Sequence, residues 1–279
     1  WYLFCLFVPP GDGSVVHDTS FPAGTGIRKL AQELKTAGII RSSWHFILVS
    51  RLRGQARRLK AGDYRFTDAM TPADILRKLA TGDVDYRRFV LPEGYSIYQA
   101  GELLEQKGYF KKAAFLAACR NPDLLKRLAI TGNSVEGHLF PATYNLSRGS
   151  GEEQLIEQMV AAFNKAYSGL KGDEAGGEGL SRQEIVTLAS IIEKEAVSTD
   201  EKPLIASVFY NRLRLGMPLQ SDPTAVYGVR AFGGKVSKAD IERRSPYNTY
   251  LIAGLPPGPI GNPGSDALRA ALHPARTPY

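Results

Sequence analysis

The chain carries one structural pattern twice. Phe21-Pro22-Ala23-Gly24 leads into Ile27, Leu30, Leu34, Gly38, Ile39 and Ile40. Leu91-Pro92-Glu93-Gly94 leads into Ile97, Leu103, Leu104, Gly108, Tyr109 and Phe110, and matching positions lie 70 residues apart. Each copy predicts a strand end, a Pro-x-Gly turn and an amphipathic helix closed by a C-terminal glycine. Thr25 and Ser96 are the nearby cap candidates. A second short apolar helix is expected after each, over 42–52 and 111–119. Two copies cannot make a solenoid, which needs about three or more. They predict duplicated βαα units, in which Pro-x-Gly can be a purely structural turn.

Between the copies, 59–66 reads as a turn and a short alternating strand. Thr71-Pro72-Ala73-Asp74 starts a further helix through Leu79, with proline at an early helical position. Residues 85–91 read as a strand running into the second copy. The first ninety residues therefore form a small α+β module. Residues 171–179 (KGDEAGGEG) form a Gly-rich surface loop. The strongest helix follows over 181–196, opened by a Ser181/Glu184 capping box. Another covers about 203–215, and from Met217 onward irregular loops dominate. The expected class is α+β, a small module followed by a larger mixed α+β domain.

The 279 residues suffice for one large domain or two ordinary ones. A 43% hydrophobic and 23% charged composition excludes wholesale disorder. The net charge of +7 favours an anionic partner: nucleic acid, a membrane surface or an acidic polymer. Cys5 and Cys119 can form no disulfide framework and lack zinc-ligand spacing. With four histidines and no HExxH motif, neither a metal nor a cofactor is expected. Arg51, Arg53, Arg57, Arg58 and Lys60 form a basic cluster. No nucleic-acid-binding motif accompanies them, so a solvated face is expected and nucleic acid is not.

Trp1 to Val8 (WYLFCLFV) is apolar throughout. A membrane span needs about 20 such residues, so eight cannot cross. One reading is a buried strand or frayed terminus. The other, favoured by a first residue that is not Met, is that 1–10 is the remnant of an N-terminal membrane anchor.

One carboxylate stands out. Ile185, Leu188 and Ile192 form an apolar stripe on the 181–196 helix, and Glu195 is the next position on it. Glu193 is rotated away, toward Val186 and Ala189. Burial would raise the Glu195 pKa and favour a general acid. Alternatively Glu195 bends out to water at the helix end and pairs with Lys194 or Arg212.

The surrounding motifs are long and ordered. They are Val135-Glu136-Gly137-His138-Leu139-Phe140-Pro141-Ala142-Thr143-Tyr144, Ala189-Ser190-Ile191-Ile192-Glu193-Lys194-Glu195 and Val208-Phe209-Tyr210-Asn211-Arg212-Leu213. Met217-Pro218-Leu219-Gln220-Ser221-Asp222-Pro223-Thr224, Ser245-Pro246-Tyr247-Asn248-Thr249-Tyr250, Gly254-Leu255-Pro256-Pro257-Gly258-Pro259-Ile260 and a closing His273-Pro274-Ala275-Arg276-Thr277-Pro278-Tyr279 follow. From about residue 21 this order resembles the YceG-like (MltG) family of endolytic murein transglycosylases.

The resemblance implies a LysM-like module over 21–90, a catalytic domain over 91–279, and part of the cleft lying beyond Tyr279. The family's catalytic glutamate falls on Glu195. Glu136 matches the acidic residue of the family's E-G-x-x-F-P segment, and Ala142 stands where the family often has Asp. Gln220, Asp222, Thr224, Asn248 and Thr249 would bind glycan. Taken singly, Asp222-Pro223 and Asn248-Thr249 are equally ordinary turn-capping residues. Tyr227, Tyr247 and Tyr250 could stack on sugars or lie in the core, and His138 is expected to pack or lie at the surface. The implied reaction cleaves the MurNAc–GlcNAc β-1,4 bond of nascent peptidoglycan and leaves 1,6-anhydro ends. The implied partners are glycan strands and peptidoglycan synthases, at a single-pass inner-membrane location. Two alternatives stay open: a hydrolase pairing Glu195 with Glu136, and a non-catalytic wall-binding scaffold.

Overall fold

The structure is a computed structural model that describes residues 9, 11–22, 24–56, 58–147, 149–170, 179–229 and 235–278. The proposed anchor remnant (all but Pro9), the loop at 171–178, Arg57 and Tyr279 lie outside the described residues. No helix among the described residues is long and apolar enough to cross a membrane.

The chain divides into two units, each built around one copy of the repeat. The first holds the described residues through Arg88, together with those of Asn145–Ser150. Strand β1 (Val16–Phe21) leads through the Pro-x-Gly turn into α1 (Ile27–Thr36) and then α2 (Ser43–Leu52). Strand β2 (Gly62–Thr67) returns antiparallel to β1, from Val16 opposite Thr67 to Phe21 opposite Gly62. Helix α3 (Pro72–Thr81) follows, with Thr71 and Asp74 in a reciprocal capping box. Phe21, Tyr64 and Phe66 from the strands pack with Leu30, Leu34, Phe46, Ile75 and Leu79 from the helices. Each such side chain stabilises by about 1.5–3 kcal/mol on burial. The basic cluster is a solvated face: Arg51, Arg53, Arg58 and Lys60 are all exposed.

Helix α1 ends as its glycine predicts. Gly38 sits at φ +73 and the Ile39 N–H reaches back to the Leu34 carbonyl at 2.9 Å. This is the six-to-one bond of a Schellman ending. The start differs from expectation. Gly26, not Thr25, is the N-cap, and the Thr25 hydroxyl donates to the Pro22 carbonyl at 2.7 Å. Thr25 is spent on the turn, so it cannot cap the helix.

The second unit holds Phe89–Tyr144 and the described part of Gly151–Tyr279. Strand β3 (Arg87–Val90) leads into α4 (Ile97–Gln106) and α5 (Lys112–Ala118), followed by α6 (Pro122–Arg127). Ser96 and Gln99 form the expected cap of α4, and Tyr109 N–H to Leu104 carbonyl at 2.9 Å repeats the α1 ending. Strand β4 (Thr143–Leu146) pairs with β3. Then come α7 (Glu152–Leu170), α8 (Arg182–Glu195), a 3-10 turn (Thr199–Glu201) and α9 (Lys202–Arg214). The short helices α10 (Asp222–Val226) and α11 (Lys238–Ile241) precede α12 (Ser265–Leu272).

Helix α8 is the axis of this unit. Its Ser181/Glu184 capping box is present, and α9, α10 and α12 all pack on it. Every residue from Ile185 to Ile192 is buried, including Thr187 and Ser190. Their hydroxyls donate to the carbonyls of Gln183 and Thr187, at 2.8 and 2.7 Å. The single apolar stripe expected from the sequence is therefore a helix enclosed on all sides. Gly137, at φ +82, lets the 135–140 segment press on α8. A Cβ there would lie 2.4 Å from Pro259 and 2.9 Å from Val186.

Candidate active site

Helix α8 delivers three charged side chains at its last turn, Glu193, Lys194 and Glu195, and stops at Ala196, which is extended. Because the helix is enclosed, both glutamates turn toward protein. What separates them is their partners. Glu193 is locked: Lys202 donates to it at 2.9 Å and the Gly264 N–H at 2.9 Å. Both members of that ion pair are 7% exposed. A buried pair of this kind is costly to break, because the survivor is an unpaired charge in low dielectric.

Glu195 is half-buried and its Oε1 accepts from the Ser221 hydroxyl at 2.5 Å. Burial holds its pKa above the ordinary carboxylate range, and the negative charge of Asp222 adds to this. The Ser221 hydroxyl and the Asp222 N–H pull the other way, since both favour the ionised form. The alternative pairing with Arg212 is not formed: that guanidinium donates to the Leu219 carbonyl at 2.5 Å. Lys194, beside Glu195, has its pKa pushed down to about 8 by burial, against the pull of Glu136 and Glu193.

The segment that brings Ser221 to Glu195 is held by a small buried network. Ser221 N–H donates to Thr249 Oγ1 at 3.0 Å, and the Thr224 hydroxyl donates to the Ser221 carbonyl at 2.5 Å. The Thr224 and Thr249 hydroxyls lie 2.8 Å apart. Gln220 N–H reaches the Thr249 carbonyl at 3.1 Å, with Gln220 itself at φ +52. Left-handed backbone costs a non-glycine residue of order 1–2 kcal/mol, so the network is what keeps it there.

The six residues expected to bind substrate divide by burial. Gln220 and Asp222, on either side of Ser221 in the chain, are exposed, and Tyr250 donates to Asp222 Oδ1 at 2.6 Å. That bond pushes the Tyr250 pKa up to about 12. Thr224 and Thr249 are 1% and 0% exposed and serve the network above. Asn248 is fully buried; its amide donates to the carbonyls of Ile241 and Arg243 at 2.8 Å each, closing the end of α11.

Glu136 is 3% exposed. Its carboxylate accepts from the Ile97 N–H at the start of α4, from the Tyr227 hydroxyl at 2.9 Å and from the Asn262 amide at 3.0 Å. Burial pushes its pKa up to about 7 against these bonds. Tyr227 lies in the core with its ring 4.6 Å from that of Tyr247. His138 is buried against Phe163, and burial pushes its pKa down to about 4.

Two features escaped the sequence. Ser221 lies between two residues singled out there, yet nothing local marks it as the partner of a residue 26 positions away. The Lys202–Glu193 pair joins two helices across a break. The signal that could have found Ser221 is its place in the run Gln220-Ser221-Asp222-Pro223-Thr224, whose other polar members are expected glycan ligands.

Comparison with known proteins agrees with this architecture. The YceG-like family model matches residues 20–279. The chain is 32% identical over 287 residues to the endolytic murein transglycosylase of Streptococcus pneumoniae strain R6, covering 92% of this chain and 52% of that protein. It is 31% identical over 284 residues to the endolytic murein transglycosylase of Bacillus subtilis, covering 96% and 78%. The chain thus spans about half the length of the pneumococcal relative it matches. A crystal structure of a yceG-like protein from Listeria monocytogenes superposes with a TM-score of 0.61 at 32% identity, covering 95% of this chain and 92% of that one. With the same mixed α+β fold and a family match across nearly its whole length, the chain belongs to the YceG-like family.

Proposed function

We propose that this chain is the catalytic part of an endolytic murein transglycosylase, with Glu195 as its single acid and base. The observation that carries this is the half-buried Glu195 carboxyl at the end of α8, oriented by the Ser221 hydroxyl at 2.5 Å. A raised pKa keeps a carboxyl protonated closer to neutral pH, which a general acid requires. Glu195 protonates the glycosidic oxygen of the MurNAc–GlcNAc bond as the C1–O bond breaks. The MurNAc C6 hydroxyl then attacks C1, and its proton returns to Glu195. One proton leaves and one comes back, so one carboxyl serves both halves without water. The attacking hydroxyl is already tethered to the sugar, which gives it the advantage of an intramolecular nucleophile.

In this scheme Ser221 positions Glu195, and Thr224 and Thr249 position Ser221. Gln220, Asp222 and Tyr250 meet the glycan, and the Asp222 charge supports the developing oxocarbenium. Glu136 and Asn248 are framework residues. A hydrolase pairing Glu195 with Glu136 is disfavoured, because the Glu136 oxygens are already occupied by Ile97, Tyr227 and Asn262. The substrate is nascent peptidoglycan, and cleavage terminates glycan strands. Residues 21–90 are a LysM-like glycan module or spacer. The whole protein is held at the inner membrane by an N-terminal anchor, with the catalytic part outside, within reach of peptidoglycan synthases.

The test is Glu195→Gln on purified peptidoglycan, with products read by mass spectrometry. The expected outcome is 1,6-anhydro ends from the parent chain and a loss of about 10²–10⁴ in rate in the variant. Reducing ends would identify a hydrolase, and undiminished cutting by the variant would overturn the role of Glu195.

A further inference from the structure

Helix α2 (Ser43–Leu52) is apolar on two opposite sides, and the described residues bury only one of them. Phe46 and Ser50 are buried, and Ile47 and Val49 pack against the core of the first unit. Trp44, Leu48 and Leu52 recur every four residues and so share the other face. Trp44 is 61% exposed and Leu52 is 78% exposed. Exposed arginines bracket the stripe: Arg41 before the first turn and Arg51 in the last. The Arg41 guanidinium donates to the Pro9 carbonyl at 3.2 Å. The face therefore lies where the described chain begins, and the eight residues before Pro9 in the sequence are WYLFCLFV.

We propose that this face of α2 docks on an anionic lipid surface. A tryptophan, two leucines and flanking arginines form the pattern of a helix lying in the membrane interface. The indole sits at headgroup level, the leucines enter the acyl boundary and the guanidinium groups meet lipid phosphates. The acidic polymer of the wall would satisfy the arginines alone. It offers nothing apolar to Trp44 or Leu52, so the observations favour lipid. Docking here sets the first unit against the bilayer through its own surface, independently of any transmembrane segment.

The experiment uses the full 279-residue chain carrying Trp1→Phe, which leaves Trp44 as its one tryptophan. On vesicles of phosphatidylcholine mixed with phosphatidylglycerol, Trp44 emission moves to shorter wavelength, and added salt reverses the shift. Vesicles of phosphatidylcholine alone produce little shift. In co-sedimentation with the mixed vesicles, Arg51→Gln weakens partitioning about fivefold. Leu52→Ser, at a site too exposed to disturb the core, weakens it about tenfold. Residues 1–8, with Phe at position 1, are the same in every variant, so the differences report on the helix. Trp44 emission unmoved by the mixed vesicles would overturn the proposal, as would unchanged partitioning of Leu52→Ser. An equal shift on soluble peptidoglycan fragments would assign the face to wall polymer and overturn it too.

Discussion

The hydroxyl of Ser221 donates to Glu195 Oε1 at 2.5 Å, joining the loop before α10 to the last residue of α8. The bond orients the carboxyl, and it also moves its proton affinity in a known direction. Hydrogen bonding to a carboxylate favours the ionised form, so Ser221 lowers a pKa that burial raises.

Ser221→Ala is therefore expected to raise the Glu195 pKa further. A general acid works protonated, so the alkaline limb of the kcat/KM profile shifts to higher pH, while kcat at the optimum falls about tenfold from lost orientation. The pH profile of peptidoglycan cleavage checks this. A purely structural role for Ser221 would lower kcat and leave the limb in place.

Asp222→Asn shifts the same limb the opposite way. The Asp222 charge disfavours a second negative charge on Glu195, and the amide removes it. The alkaline limb moves to lower pH, and added salt has less effect on the variant than on the parent chain. The same pH-rate measurement at two ionic strengths tests both statements.

Glu136 makes the fold sensitive to pH. Its carboxyl is fully buried with a pKa near 7, above the value of 4.5 for an exposed glutamate. A raised carboxylate pKa means that the folded state binds the proton more tightly than the unfolded one. Its contribution is then fully present below about 4.5 and is lost as pH rises toward 7. Glu136→Gln removes this titration. The stability difference between variant and parent moves in favour of the variant by roughly 3 kcal/mol between those pH values. Urea unfolding of both chains at each end of the range measures it, and a difference independent of pH would refute the assignment.

Lys202→Met leaves Glu193 buried without its cation and is expected to destabilise by about 3–5 kcal/mol. Pairing it with Glu193→Gln recovers most of that loss, because no bare charge remains. A double-mutant cycle by urea unfolding reads the coupling. Strict additivity of the two changes would mean that the pair, 2.9 Å apart in the structure, contributes no coupling.

What the sequence determined by itself is short in range. The duplicated βαα pattern, the capping boxes at Ser96 and Ser181, the proline start of α3 and the glycine endings of α1 and α4 are all present. The caps, the proline start and the glycine endings each depend on groups within about five residues of one another, where backbone geometry leaves few choices. Glu195 follows the apolar stripe that the sequence shows, but with every residue from Ile185 to Ile192 buried the stripe alone does not single it out. Only tertiary structure decided which polar groups face outward. Thr249 and Thr224 meet across 25 positions, Ser221 and Glu195 across 26, and Asn262 and Glu136 across 126. The 217–262 region has no period from which a side chain's direction can be read. There the same threonine or asparagine can bind a ligand or close a loop. The choice falls to the packing, because a polar group enclosed by the core must find its partner inside the protein.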